Sequence, residues 1–227
     1  MLTSGRMLAC MPMIIWSAWS VNFFAGLFVV MMTRCMKSTY NTCKLFPDDP
    51  DCWSDDDRNS WALFTMTMLG VGEILGGGVL GRIRDSCGNQ VALIVLIIET
   101  LAAIGLVLAV NINDEYNATT WIMTFVWGFQ DAGLNTLINC ILGFEFESKV
   151  TPFGVYKFSQ SLFIFAFSLG IIPVTDDKTS PNKDRITIYC CAGAAFSTLA
   201  LASMLFFKYK PEEGKLEKTV DADDELT

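Results

Sequence analysis

Histidine is absent from this chain of 227 residues, and charged residues make up only 18% of it. The missing histidine excludes Ser–His–Asp triads, histidine metal sites and histidine proton shuttles. The glycine-rich stretch Gly70–Gly81 is not a nucleotide-binding loop, because Leu75 stands where a dinucleotide motif needs glycine and no P-loop lysine follows. We therefore expect no enzymatic activity, no cofactor, no metal site and no nucleic-acid partner.

The low charge accompanies a high hydrophobic content of 52% and a mean hydropathy of +0.41. Soluble domains carry about 25% charged residues, so this balance favours a membrane protein. Six hydrophobic runs each approach the roughly 20 residues that cross a bilayer, which argues against a soluble helical protein. We predict an all-α, polytopic membrane protein in contact with the lipid bilayer. Its six-helix domain covers residues 1–207, with spans at 7–32, 61–80, 91–110, 121–144, 158–174 and 186–207. The acidic tail, residues 208–227, is expected to be cytoplasmic and disordered.

Orientation follows mainly from the loop between the first two spans. Lysine and arginine are split nine to seven between the two sides, too evenly to decide. That loop holds Cys43 and Cys52, which suggest an oxidising compartment and are candidates for a disulfide. Asn117 opens a glycosylation sequon on the same side, although its closeness to the next span favours an unmodified asparagine. We expect both termini in the cytosol, and residence in the plasma or an endolysosomal membrane.

The fourth span carries polar residues where only apolar side chains are stable in lipid. On a helix, five of its residues fall within roughly 80° of one another. These are Thr124, Gly128, Asp131, Asn135 and Asn139. A carboxylate at the middle of a span costs about 2.5–3.5 kcal/mol on insertion scales. Asp131 is therefore expected to face protein or water, and the stripe is expected to face a polar interior.

Two other spans carry comparable residues. Glu73 lies past the middle of the second span, and Lys157 and Gln160 mark the cytoplasmic end of the fifth. An ionisable group at this depth indicates a functional site by default. The alternative is a pairing of Asp131 or Glu73 with Lys157 or an asparagine that only locks the bundle. Asn22 and Asn139 are interpreted as hydrogen-bonding links between helices.

The arrangement resembles one half of a major facilitator transporter, in which each half is a three-plus-three inverted repeat. Polar residues occupy the first, second, fourth and fifth spans, and the third and sixth are blander. The segment GRIRDSCGN places Gly81, Asp85 and Gly88 at the spacing of the helix-loop-helix motif of that superfamily. It departs from the motif at Ser86 and Asn89, where the superfamily usually has basic residues.

A closer resemblance is to the uncoordinated-93 (Unc-93-like) family, a branch of that superfamily. The matching segments are GVGEILGG, GFQDAGLNT followed by ILGF, and VYKFSQSL, which occur in the order found in the C-terminal half of that family. The resemblance implies that the chain is one half of a longer protein, or that it pairs with a second chain. It implies either proton- or cation-coupled transport of a small solute, or a non-transporting partner that regulates or escorts other membrane proteins.

Overall fold

The computed structural model describes residues 5–40, 55–148, 150–175 and 183–209. Cys43, Cys52 and the tail beyond residue 209 lie outside these residues, so the disulfide and the disorder of the tail stay predictions. Every regular element within the described part is a helix. The helices are α1 (Gly5–Phe23), α2 (Val29–Tyr40), α3 (Asp55–Cys87), α4 (Asn89–Asn113), α5 (Ala118–Glu145), α6 (Val150–Thr175) and α7 (Lys183–Leu205).

Five helical segments of the described chain are long and apolar enough to cross a membrane. They are Gly5–Met36, Asp56–Cys87, Asn89–Asn113, Val150–Ile171 and Lys183–Leu205. The predicted span 121–144 lies within α5, which has 28 residues but is not among these five. At about 1.5 Å per residue α5 is long enough to cross, and its glutamine, aspartate and asparagines lower its hydropathy. The five apolar helices thus indicate a multi-pass membrane protein, and α5 differs from them because it is more polar.

The first span is one long helix interrupted by a π-helical turn, Phe24–Phe28, between α1 and α2. Such turns insert extra backbone into the ladder and change the direction in which later side chains point. On the N-terminal side of the turn, α1 packs against α5, α6 and α7. On the C-terminal side, α2 packs against α3 and α4. The turn therefore lets one span present polar residues to two different groups of neighbours.

Helices α3 and α5 pack most extensively, because glycines remove side chains from their interface. A Cβ added to Gly72 or Gly76 would overlap the backbone carbonyl oxygens of Phe125 and Phe129. The reciprocal position is Gly128, where an added Cβ would overlap the carbonyl oxygen of Leu69. Small residues at this spacing allow two helix backbones to approach closely in a membrane.

An aromatic cluster fills the centre of the bundle between α1, α5 and α7. Trp19 stacks on Tyr189 with ring centroids 5.1 Å apart, and Phe23 stacks on Trp127 at 4.7 Å. Trp19 also packs against Gly193 of α7, where any larger side chain would collide with the indole ring. These rings anchor α1 against two neighbours and fix the rotation of its polar face.

Ion pairs fasten the helices at both ends of the bundle. At one end Arg6 binds the carboxylate of Glu145 at 3.1 Å and the backbone carbonyl of Lys208 at 2.8 Å. At the other end Asp114 accepts from Arg34 and Lys183, each at 2.8 Å. Each cluster joins basic residues that the expected topology places on one side of the membrane.

The helix-loop-helix motif has almost no loop. Helix α3 continues through Gly81 and Asp85, so the expected loop is reduced to Gly88, which adopts a positive φ of 87°. Asp85 is exposed and, among the described residues, pairs only with its neighbour Arg84, whose guanidinium also lies over the ring of Phe144. An exposed ion pair between adjacent residues contributes little stability.

Candidate functional site

Asp131 lies at the middle of α5 and is only 3% exposed. Its Oδ1 accepts a hydrogen bond of 2.6 Å from the hydroxyl of Ser20 on α1. Its Oδ2 accepts one of 3.0 Å from Nδ2 of Asn135, one turn further along α5. Both oxygens of this buried carboxylate therefore have a donor, as buried charges require.

The first branch of the network runs from Asp131 to α6. The side-chain oxygen of Asn135 accepts from Ser17 on α1 at 3.2 Å and from the Tyr156 hydroxyl at 2.8 Å. Ser17 in turn accepts from Nε2 of Gln160 at 2.7 Å. The ammonium of Lys157 donates to Oε1 of Gln160 at 3.1 Å, and it is exposed. This branch thus connects the buried carboxylate to a surface lysine.

The second branch runs from Asp131 to α4. The Ser20 hydroxyl, which donates to the carboxylate, accepts from Nε2 of Gln130 at 3.1 Å. The Oε1 of Gln130 accepts from Thr100 on α4 at 2.9 Å. Ser20, Gln130 and Thr100 are all at most 1% exposed.

Every hydrogen bond in the two branches points in the same sense, towards Asp131. Lys157 donates to Gln160, which donates to Ser17, which donates to Asn135, which donates to the carboxylate. The Thr100 branch converges on the other oxygen in the same way. Both oxygens of Asp131 therefore act as acceptors, the arrangement that an ionised carboxylate requires.

Helical spacing explains why these side chains meet. Ser17 and Ser20 are three residues apart in α1, and Asp131 and Asn135 are four apart in α5. Residues at such separations are neighbours on one helix face. Each helix therefore presents a matched pair of polar groups, and the aromatic cluster sets α1 at the rotation that brings the pairs together.

The structure brings four of the five predicted candidates into one network: Asp131, Asn135, Lys157 and Gln160. The fifth, Glu73, is half-buried on α3 and joins no hydrogen bond or ion pair with the described residues. It lies within electrostatic range of Asp131, as does Lys157. Glu73 is therefore adjacent to the network but not a member of it.

Five members of the network were not among the predicted site residues: Ser17, Ser20, Thr100, Gln130 and Tyr156. Gln130 falls outside the 80° stripe, yet its position next to Asp131 lets it reach α4 and α1 at once. Thr100 lies in the third span, which is one of the two blander spans in the sequence. Tyr156 precedes Lys157 and reads as an ordinary aromatic residue. The one available signal was that Gln130 interrupts an apolar run.

The residues of the polar stripe of α5 do not all face the same surroundings. Asn139 is exposed and makes no hydrogen bond to the described residues, so its interpretation as a link between helices is wrong in this structure. Gly128 faces α3 instead of a polar interior. Asn22, by contrast, accepts a bond of 2.7 Å from Ser168 and links α1 to α6.

Asn117 acts as a helix cap. Its side chain accepts from the backbone N–H of Thr119 at 2.9 Å, and Thr120 completes a capping box. This role explains the asparagine without any modification. The side chain is nevertheless exposed, and N-glycosylation there stays a prediction.

No protein-family model matches the chain, and no curated protein matches it either. The resemblance to the uncoordinated-93 family therefore stays a prediction based on the three matching segments. Within the described ranges, no group of three or more cysteine, aspartate and glutamate side chains is placed to hold a metal ion.

Proposed function

We propose that this chain is a transporter-like membrane protein of the major facilitator superfamily, similar to the uncoordinated-93 family, in which Asp131 takes up and releases an ion. The observation that carries the proposal is a 3%-exposed carboxylate in α5, held by donors from α1 and α5 and connected to α4 and α6. Ionisable groups inside membrane helices commonly mark ion or substrate pathways. The network supplies such a group with contacts on four helices.

The donor set favours a proton over a metal cation as that ion. A metal cation needs several oxygen atoms directed at one point. Around Asp131, by contrast, the groups directed at the carboxylate are the O–H of Ser20 and the N–H of Asn135. The side-chain oxygens of Asn135, Gln130 and Gln160 each already accept at least one hydrogen bond. A proton, in contrast, needs only one carboxylate oxygen and one neighbouring group that can change from hydrogen-bond donor to acceptor.

The exposed end of the network supports pairing with a second six-helix unit or chain. Lys157 is exposed although it terminates a chain of buried polar groups. It lies on α6, the least buried of the five candidate membrane-spanning segments. A second unit that covers α6 would place Lys157 between the two units, where a solute with negative charge would find a basic group.

A second candidate function is that of a non-transporting partner of other membrane proteins. Its support is that each polar group of the network already has a partner, as expected for hydrogen bonds that only fasten helices. The departures at Ser86 and Asn89 point the same way, because the superfamily usually has basic residues at these two positions of the helix-loop-helix segment.

The two functions are distinguished by replacing Asp131 in the full chain, in lipid nanodiscs. We expect Asp131→Asn to fold with near wild-type stability, since asparagine retains hydrogen-bonding capacity at that position. If Asp131 is the coupling group, this variant loses the stabilisation by a panel of small solutes and the dependence of that stabilisation on pH. The pH dependence of thermal stability is compared in an Asp114→Asn background, because the ion pairs of Asp114 are also lost in acid. Asp131→Leu leaves Ser20 and Asn135 without their acceptor and lowers stability by roughly 1–2 kcal/mol.

Asp56→Asn is the matched control, because Asp56 is exposed in the first turn of α3 and is not part of the network. It is expected to retain the wild-type pH response. A pH and solute response that survives Asp131→Asn would rule out Asp131 as the coupling group and favour the partner function.

A further inference from the structure

The two branches that meet at Asp131 differ in whether their hydrogen bonds can be reversed. In the branch to α6, Asn135 uses both amide hydrogens, one on Oδ2 and one on the backbone oxygen of Asp131. Its side-chain oxygen accepts two further bonds, from Ser17 and Tyr156. The far end is Lys157, whose ammonium can only donate. This branch is fixed in one direction.

The branch to α4 has no such constraint. The hydroxyls of Ser20 and Thr100 can each donate or accept. The amide of Gln130 exchanges its oxygen and nitrogen when it rotates by half a turn about its last side-chain bond. Each link of the Ser20–Gln130–Thr100 branch can therefore run in either direction without any helix moving.

Charged and titratable groups surround Asp131 on several of the neighbouring helices. Lys157 acts from α6 and Glu73 from α3, both at electrostatic range. From α6, Tyr156 reaches it through Asn135, and α1 presents the uncharged Ser17 and Ser20. On α4, the carboxylate of Glu99 lies against Gly133 of α5, two residues beyond Asp131.

We propose that Gln130 and Thr100 are positioning residues for proton binding, and that the Ser20–Gln130–Thr100 branch reverses its hydrogen bonds when Asp131 is protonated. This inference depends on the proposed function, in which Asp131 takes up a proton. A proton from water binds Oδ1 and turns that oxygen from an acceptor into a donor. Oδ1 then donates to Ser20, so the Ser20 hydroxyl must turn away from Asp131.

The rest of the branch accommodates this change. The Ser20 hydroxyl donates to Oε1 of the rotated Gln130, and Nε2 of Gln130 donates to Thr100. The Thr100 hydroxyl then donates to a carbonyl one turn earlier in α4, as threonine hydroxyls in helices commonly do. No polar group of the branch loses its partner in either state. Protonation of Asp131 in α5 therefore changes the direction of hydrogen bonds made by side chains of α1 and α4.

Infrared difference spectroscopy between neutral and acidic pH tests the reversal on the full chain in nanodiscs. The chain has three glutamines, Gln90, Gln130 and Gln160. With ¹³C in the glutamine side-chain carbonyls, a Gln130→Met variant identifies the Gln130 band by its loss. The Asp131→Asn variant identifies in the same way the carbonyl band of protonated Asp131.

Thr100→Val is the informative variant, because it removes the group that binds Oε1 at neutral pH. We expect the Gln130 carbonyl band to move to the frequency of an unbonded carbonyl at neutral pH. On acidification it should return to a bonded frequency, since Ser20 now donates to it. Adding Asp131→Asn to Thr100→Val should abolish this response to pH.

Two controls separate this result from a general disturbance. Thr124→Val removes a buried hydroxyl whose one hydrogen bond within the described part of the chain is to the carbonyl of Thr120 in α5, and it should leave the Gln130 band unchanged. Thr100→Ser retains the hydroxyl and should keep the carbonyl bonded at both pH values.

A Gln130 carbonyl in Thr100→Val that stays unbonded at acidic pH, while the Asp131 carbonyl band appears, would overturn the reversal and leave the proposed function standing. If the wild-type chain shows no Asp131 carbonyl band at any pH at which it stays folded, the proposed function fails and this inference fails with it.

Discussion

At the scale of single residues, the position of a polar group relative to its neighbours matters more than its chemical type. Asp131 and Glu73 are both carboxylates inside apolar helices, yet only Asp131 is hydrogen-bonded to the described part of the chain. The difference follows from what each faces, because Asp131 meets Ser20 on α1 whereas Glu73 stays half-buried on α3. Their chemistry alone does not separate them.

Asp114 gives a second residue-scale example, at the end of α4. Its backbone is left-handed, with a φ of 56°, and it caps the helix by donating its N–H to the carbonyl of Val110. Burial alone would raise the pKa of Asp114, but the hydrogen bond from Lys183 and the charge of Arg34 outweigh it and hold the pKa below its usual range. The ion pairs therefore stabilise the folded state.

We expect Asp114→Asn to lower stability at neutral pH by about 1–3 kcal/mol. Asparagine tolerates the left-handed backbone, so the change removes the charge without adding strain. A group with a lowered pKa stabilises fully above its unfolded value, about 4, and loses this effect as the pH falls through the folded value. The difference in unfolding temperature between wild type and variant should therefore disappear in acid.

Glu115→Gln is the control for that measurement, because Glu115 is the exposed neighbour of Asp114. It should shift the unfolding temperature little at any pH. A gap for Asp114→Asn that stays constant down to strongly acidic pH would show that the ion pairs with Arg34 and Lys183 are not its cause.

At the scale of the elements, the packing of α3 on α5 depends on glycines four residues apart, a spacing that allows close packing of membrane helices. The pair Gly72 and Gly76 meets the backbone of α5 directly, as that pattern predicts. Gly77 and Gly81, the other pair, are at ordinary or slightly close contact with the side chain of Thr136. The spacing predicts close packing of α3, and the structure shows that α5 is the partner and that Gly72 and Gly76 form the tighter pair.

We expect Gly76→Ala to destabilise the protein by about 1–3 kcal/mol, the usual cost of overpacking. The added methyl group would meet the backbone oxygen of Phe129, which cannot move aside as a side chain could. Thermal unfolding in detergent or nanodiscs measures the effect. Gly78→Ala on the same helix is the control, since an added Cβ there meets nothing within 4 Å.

Alanine favours helix over glycine, so Gly78→Ala should be neutral or slightly stabilising. Equal effects of the two substitutions would mean that helix propensity, and not the contact with α5, decides the outcome.

The length of the elements was easier to predict from the sequence than the connections between them. Each predicted span lies within the described helices or overlaps one, because apolar runs of about 20 residues specify membrane-length helices. The short connection at Gly88 was not expected, since polar residues after Leu80 read as a loop. They continue α3 as helix as far as Cys87, and the side chains of Arg84 and Asn89 hydrogen-bond across the bend at 3.0 Å.

At the scale of the whole molecule, charged residues that the expected topology places on the same side of the membrane lie together at the same end of the bundle. Arg6 and the Lys208 backbone share one end, and Arg34, Asp114 and Lys183 share the other. Helix α4 has 25 residues, or about 37 Å at 1.5 Å per residue, which exceeds the hydrocarbon core of about 30 Å. Residues on either side of α4 should therefore face opposite compartments.

This topology predicts how added cysteines react in intact cells. We expect Glu115→Cys to react with a membrane-impermeant maleimide and Ser86→Cys to react only after permeabilisation. Both positions are exposed, so failure to react is not caused by burial. The eight native cysteines are first replaced by alanine. The opposite pattern would invert the topology and place Cys43 and Cys52 in the cytosol.

The sequence by itself determined that the chain is helical, that its helices are of membrane length, and that α5 carries polar groups near its middle. These properties follow from composition and periodicity, which depend on each helix alone. The tertiary structure decided which polar groups act together. Helical phase gives the direction of a side chain about its own axis, but not which neighbouring helix lies in that direction. Gln130 therefore joined the network through Thr100 and Ser20, whereas Asn139 did not, because neighbours with matching hydrogen-bonding groups exist at one position only.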